Sequence, residues 1–137
     1  MLNDIDLKWI DIPRILDERG NLSFIEDGSD LKFDIQRVYW IYDVPGGEIR
    51  GGHAFKVQKE IIIALSGSFD VVLHNGVSPI RYSLNRSYKG LCVPEMYWRH
   101  MENFSTNAVC LVLASTIFSE EDYIYDFETF IKLTQEK

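Results

Sequence analysis

Short apolar runs, many of them alternating with polar residues at a period of two, recur along most of this chain. Leu7 to Ile12, Asn21 to Glu26, Ile35 to Asp43, Val57 to Leu65 and Ser68 to His74 are apolar or alternating over strand length. Ile80 to Leu84, Gly90 to Val93, Tyr97 to Met101 and Ala108 to Ser115 continue the series. Turn residues separate the runs at Glu18-Arg19-Gly20-Asn21, Pro45-Gly46-Gly47 and Asn75-Gly76. Inside Arg37-Val38-Tyr39-Trp40-Ile41-Tyr42, the alternation sorts Arg37, Tyr39 and Ile41 onto one face and Val38, Trp40 and Tyr42 onto the other. Spacing this regular predicts an all-β sandwich or barrel rather than a βαβ fold. The period changes near the C-terminus. Ser119 precedes Glu120-Glu121-Asp122, a hydroxyl N-cap followed by carboxylates where a helix dipole favours them. Tyr123, Phe127, Phe130 and Ile131 then recur at helical spacing, which predicts a C-terminal α-helix with an aromatic packing face. No repeat, low-complexity tract or linker interrupts the pattern, so a single domain over 1–137 is expected.

Composition narrows the class. A chain of 137 residues can bury a core without staples, and 46% hydrophobic with 26% charged residues is ordinary for a soluble globular protein. The net charge of −7 weighs against generic nucleic-acid binding, which depends on Lys and Arg neutralising phosphates. A local arginine cluster can still hold one anionic ligand. Cys92 and Cys110 lie in apolar runs without metal-like spacing and read as reduced, buried thiols of a cytoplasmic protein. No apolar run is long enough for a membrane span, and the acidic N-terminus does not resemble a signal peptide.

The candidate chemistry gathers in two stretches. Arg50-Gly51-Gly52-His53-Ala54-Phe55, with Glu60 and Gly67 after it, has the spacing of the cupin metal motif, Phe55 standing where a second histidine is expected. Gly90, Pro94, His100 and Asn103 have the look of the second cupin motif. Cupins are small β-barrels that hold a ligand in the mouth. A metal would need His53, Glu60 and His100 to converge, and Phe55 offers no lone pair, so an organic ligand is favoured and no metal is expected. His53 is a candidate proton carrier at neutral pH, and Arg50 is a planar cation suited to a phosphate or carbonyl oxygen. Tyr39 is placed either to relay a proton or simply to fill the core. In Tyr97-Trp98-Arg99-His100-Met101-Glu102-Asn103, aromatic and cationic residues alternate, which suits either a nucleotide or a subunit contact. Arg19, in its turn, reads by itself as a solvated charge.

Taken together, these residues resemble a known family. Arg37-Val38-Tyr39, Arg50-Gly51-Gly52-His53-Ala54 and Leu65-Ser66-Gly67-Ser68 are similar to the sugar-nucleotide 3,4-ketoisomerases of the cupin superfamily. So is the tail from Asn103-Phe104-Ser105 through Val112-Leu113-Ala114-Ser115 to Glu121-Asp122-Tyr123-Ile124. The resemblance implies a cupin double-stranded β-helix, a homodimer, no metal or other cofactor, and conversion of dTDP-4-keto-6-deoxyglucose to its 3-keto isomer through an enediol. It further implies His53 as base, Tyr39 as relay or positioning group, and Arg19, Arg50, Trp98, Arg99 and His100 as substrate-binding residues. Two positions depart from the family pattern. Phe55 replaces the second pocket histidine, and Trp98 is followed by Arg99 with His100 displaced by one, a shift that turns a strand side chain to the opposite face. The same pattern admits two other functions, a nucleotide-sugar-binding module without catalysis and a metal-dependent cupin enzyme.

Overall fold

In the computed structural model, which describes residues 7–28, 31 and 33–136, two antiparallel five-stranded sheets face each other. The strands are β1 (Lys8–Asp11), β2 (Arg14–Ile15), β3 (Leu22–Ser23), β4 (Arg37–Tyr42), β5 (Arg50–Phe55) and β6 (Glu60–Ser66). There follow β7 (Phe69–His74), β8 (Pro79–Leu84), β9 (Lys89–Val93), β10 (Trp98–Glu102), β11 (Val109–Ala114) and β12 (Tyr123–Ile124), and the chain closes with helix α1 (Phe127–Gln135). One sheet runs β1-β9-β6-β11-β4 and the other β12-β5-β10-β7-β8, while β2 and β3 form a separate small hairpin. This is the expected jelly-roll barrel of the cupin type with a terminal helix.

Three apolar layers build the fold. The space between the sheets is filled by Ile62, Ala64, Phe69, Val71, Leu73, Leu84, Leu91, Val93, Met101 and Val112, every second residue of strands from both sheets. The outer face of the first sheet buries Ile61, Ile63, Cys92 and Leu113 under Ile25, Leu31, Phe33 and Ile35, from the segment between β3 and β4. The outer face of the second sheet is covered by α1, where Ala54 and Ile124 meet the fully buried Phe130. On β4 the predicted alternation holds: Arg37, Tyr39 and Ile41 are half-buried, and Val38, Trp40 and Tyr42 are exposed.

Several boundaries differ from the sequence expectation. The helix does not start at Ser119, whose side chain makes no cap hydrogen bond; residues Glu120–Asp122 form only a single 3-10 turn. The Asp122 carboxylate is drawn off to accept the backbone N–H groups of Val57 (2.7 Å) and Gln58 (3.1 Å). Tyr123 and Ile124 then pair with Phe55 and Ala54 as a strand, so the place of Tyr123 in the helical stripe is corrected to an edge of the barrel. The α-helix begins after Asp126, whose side chain accepts from the backbone N–H of Thr129 at 2.9 Å. Long-range pairing here overrides a local helix signal. Within Asn21 to Glu26 only Leu22–Ser23 is extended in a ladder, and the strand predicted from Val57 starts at Glu60 because residues 56–58 are tied to the 3-10 turn.

Candidate active site

Arg50 and His53 are three apart in β5, an odd spacing that would send them to opposite faces of a regular strand. The ladder with β10 avoids this through a bulge: Arg99 lies opposite His53, His100 opposite Gly51 and Met101 opposite Arg50. Gly52 is the extra residue, and both Gly51 (φ 98°) and Gly52 (φ 87°) adopt the left-handed backbone that glycine tolerates. A side chain at Gly51 would also meet the His100 Cα at 2.9 Å. Because directly opposed residues share a face, Arg50 joins His53, Arg99 and Met101 on the barrel side. Arg50 itself is exposed, which puts it at the rim.

Behind His53 sits a buried polar cluster drawn from both sheets. Arg99, 1% exposed, gives an Nη1 hydrogen bond to Glu60 Oε1, and its guanidinium lies 5.0 Å from the centre of the Phe55 ring. Glu60 Oε2 accepts the Tyr39 hydroxyl at 2.5 Å and the Gln58 amide Nε2 at 2.6 Å. Gln58 Oε1 in turn accepts Arg37 Nη2 at 2.9 Å and the Thr116 hydroxyl at 2.6 Å. Parity explains the grouping. Glu60 has the same phase in β6 as core Ile62, and Tyr39 and Arg37 occupy the inward phase of β4.

This environment sets two proton affinities. Burial pushes the His53 imidazole down to about 4, the Arg99 charge adds to the shift, and Glu60 opposes it. His53 is therefore a neutral ring at pH 7, in edge contact with Phe55 (5.0 Å between centroids) and tilted against Tyr123 (5.1 Å). Burial and then the neighbouring Glu60 push the Tyr39 phenol far up, so it keeps its proton. Such a pair can take a proton from carbon at a neutral nitrogen and pass one between oxygens at a hydroxyl. Aromatic rings lead outward from His53: Tyr123 stacks on exposed Tyr125 at 5.2 Å and touches exposed Phe118 at 5.8 Å, and Arg37 lies over Phe118.

Of the residues singled out from sequence, the fold brings His53, Tyr39, Arg50 and Arg99 to the barrel interior or its rim. It separates the others. Trp98 and His100 flank Arg99 in β10 and so point outward, Trp98 against Phe127 and Phe130 of α1, His100 to Glu102 at 3.1 Å. Trp98, Arg99 and His100 thus do not form one gripping surface. Nor do His53, Glu60 and His100 converge, and among the described residues no group of three His, Cys, Asp or Glu side chains is placed to hold a metal. Arg19 lies in the β2–β3 hairpin, 90% exposed and paired with Asp17 at 2.9 Å. Sequence reasoning missed Gln58 and Thr116, which carry no motif, and it placed Tyr123 on a helix. The two-residue phase linking Gln58, Glu60 and Ile62 is the signal that would have found Gln58. A surface depression of about 600 Å³ lies elsewhere, on the outer face of β4 and β11 between Trp40, Tyr42, Leu65 and Leu111. Its lining includes Asp43 and Asn107 but no histidine.

Comparison with known proteins shows which family the whole chain resembles. The family model described as FdtA: WxcM-like, C-terminal matches residues 5–135. A TDP-4-oxo-6-deoxy-alpha-D-glucose-3,4-oxoisomerase of Aneurinibacillus thermoaerophilus is 38% identical over 125 residues, 91% of this chain and 90% of that protein. A 3,4-ketoisomerase from Helicobacter canadensis superposes with a TM-score of 0.91 at 36% identity, covering 96% of this chain and 98% of that one. A histidine-to-asparagine mutant of a 3,4-ketoisomerase from Thermoanaerobacterium thermosaccharolyticum, solved in complex with TDP-4-keto-6-deoxyglucose, superposes at 0.93 with 33% identity, covering 96% and 95%.

Proposed function

The chain belongs to the FdtA, WxcM-like C-terminal family, and on that premise we infer that it is a sugar-nucleotide 3,4-ketoisomerase acting on a dTDP-linked 4-keto-6-deoxyhexose. The observation that carries the reading is His53, held neutral by burial, on the same barrel interior as a hydroxyl, Tyr39, that keeps its proton. His53 takes the proton from carbon 3 of the sugar while the carbonyl oxygen at carbon 4 gains one, giving the enediol. The oxygen at carbon 3 then loses its proton, the protonated His53 ring delivers the one it holds to carbon 4, and the 3-keto sugar results with His53 neutral again. Tyr39 serves the oxygen side of this exchange, taking the proton from one oxygen as it gives its own to the other. Arg50 at the rim and Arg99 within supply positive charge for the ligand's oxygens, and Phe55 supplies none of the proton transfer. Arg19, Trp98 and His100 act on the ligand, in this reading, only from outside the barrel interior.

The working form we propose is one cupin domain over 1–137, assembled as a homodimer in the cytoplasm, without metal or cofactor. Free, buried Cys92 and Cys110 suit a reducing compartment. The exposed apolar row Val38, Trp40 and Tyr42, with Leu65 beside it, is the surface a second copy would cover. Sedimentation of the wild type and of Trp40→Glu tests this, a dimer lost on substitution being expected.

The decisive experiment is proton NMR of dTDP-4-keto-6-deoxyglucose incubated with the protein in heavy water. Conversion to the 3-keto isomer with deuterium entering the ring, both lost in His53→Asn, is the expected result. A protein that holds TDP but neither converts the sugar nor exchanges its ring protons would overturn the assignment.

A further inference from the structure

We propose that Glu60 is a positioning residue for the isomerisation, fixing the Tyr39 hydroxyl toward the barrel interior while Gln58 and Arg99 fix Glu60. The proposal rests on the ketoisomerase reading and deepens it. A free phenol rotates about its C–O bond and presents its proton to any nearby acceptor. In the resting protein the Tyr39 hydroxyl donates to Glu60 Oε2 at 2.5 Å, which holds the phenol oxygen in one place with its lone pairs toward a ligand. The proton turns to a sugar oxygen only as the phenol takes one from the other. That carboxylate is itself held at two further points. Arg99 binds Oε1 and Gln58 Nε2 binds Oε2, while Gln58 is pinned from behind by Arg37 and Thr116.

The strands that carry these groups come from both sheets. Tyr39 lies on β4, Glu60 on β6 and Arg99 on β10, so the cluster sets the distance between the sheets where His53 stands. A sub-ångström error in placing a proton-transfer group costs rate without costing ligand affinity. Glu60 has a further consequence: with its carboxylate engaged on both oxygens, it orients a ligand-facing hydroxyl and does not bind the ligand directly. Burying an ion pair is a poor route to stability, since its desolvation offsets most of the Coulomb gain. Its use here is geometric.

A double-mutant cycle tests the assignment. Glu60→Gln should lower kcat by about 10-fold to 10²-fold, within what a positioned acid–base group contributes, and leave KM unchanged. In a Tyr39→Phe background the same substitution should add no further loss. Gln58→Met, which removes one hydrogen bond to Glu60 but keeps the volume, provides the same comparison if Glu60→Gln does not fold. In both variants the ring-carbon NMR shift of isotope-labelled Tyr39 should move, reporting the altered hydroxyl bond whether or not the protein turns over. Equal losses in the presence and absence of the Tyr39 hydroxyl, or an unchanged kcat, would overturn the proposal. Wild-type protein without turnover would instead sink the ketoisomerase reading, and this role with it, even where the Tyr39 shift responds.

Discussion

The two ends of the barrel interior have been built by opposite rules. Toward β7, β8 and β9 the sheets meet through Phe69, Val71, Leu84 and Leu91, all essentially without solvent exposure. Toward β4, β5, β6 and β10 they meet through Tyr39, Gln58, Glu60 and Arg99, joined by hydrogen bonds, with His53 beside them in edge contact with the Phe55 ring. The hydrocarbon end can tolerate small shifts because dispersion and water exclusion have no direction. The polar end cannot, because each donor there has one acceptor and an unmet partner is costly in a dry interior. One end therefore stabilises the fold, and the other spends stability to hold groups in fixed places. Pairing chemistry with rigidity this way needs both ends in the same small barrel.

The sharpest way to break the comparison is Arg99→Met. Removing one partner of the enclosed pair leaves Glu60 without its cation, and such losses cost about 3–5 kcal/mol. Denaturant unfolding should show that loss, and the fraction still folded should turn over poorly, since Glu60 is then free to leave Tyr39. Replacing both partners, as in Arg99→Met with Glu60→Leu, should recover only part of that stability and none of the activity, because the Tyr39 hydroxyl and the Gln58 amide still lose their acceptor. At the other end, Leu84→Ala opens a cavity beside Phe69, its cross-strand partner, and should cost about 2–5 kcal/mol. Here the outcome divides differently: stability falls in the same assay, while kcat and KM of the folded protein stay near wild type. Should Leu84→Ala alter kcat as strongly as Arg99→Met, the division between the ends would be wrong.

The hydrocarbon end was also the more legible in sequence. Period-two alternation places Val71 and Leu73 inward, and Arg37, Tyr39 and Ile41 of β4 follow the same rule. The polar end depends on features that alternation does not carry. A bulge at Gly51-Gly52 resets the parity of β5, so Arg50 faces with His53 against its spacing. Tyr123 and Ile124 sit in a stretch with a good local helix start, yet pairing with β5 makes them a strand. Phe55 is conspicuous in the motif as a missing histidine. Only the cross-strand ladder reveals what it does, which is to offer its ring to Arg99. Gln58 shares the phase of Glu60 and Ile62, whereas Thr116 has no signature because its partner lies far away in the chain. Neighbours in β10 show the general limit: Trp98, Arg99 and His100 are contiguous letters, yet one is inside the barrel and two are outside it.

The gentlest test of the comparison is acidity, because only the polar end titrates. His53 must be neutral to accept a proton, and burial with the Arg99 charge has pushed its affinity down to about 4 from an ordinary value near 6.5. As general base it should keep kcat/KM flat from neutrality to about pH 5, with the rate falling only as pH passes through about 4. A solvated histidine in the same role would already lose rate near pH 6.5. Stability should move over a higher window. The unfolded chain protonates this ring as pH falls below about 6.5 while the folded chain resists until about 4, so His53 weakens folding progressively between those values and adds nothing further below. In His53→Asn that slope should flatten, whereas Leu84→Ala should keep it and merely lower the whole curve. A kcat/KM profile of the wild type that breaks near pH 6.5 would mean that the base is an open, hydrated histidine and that the polar end of the barrel is not enclosed as the packing around His53 requires.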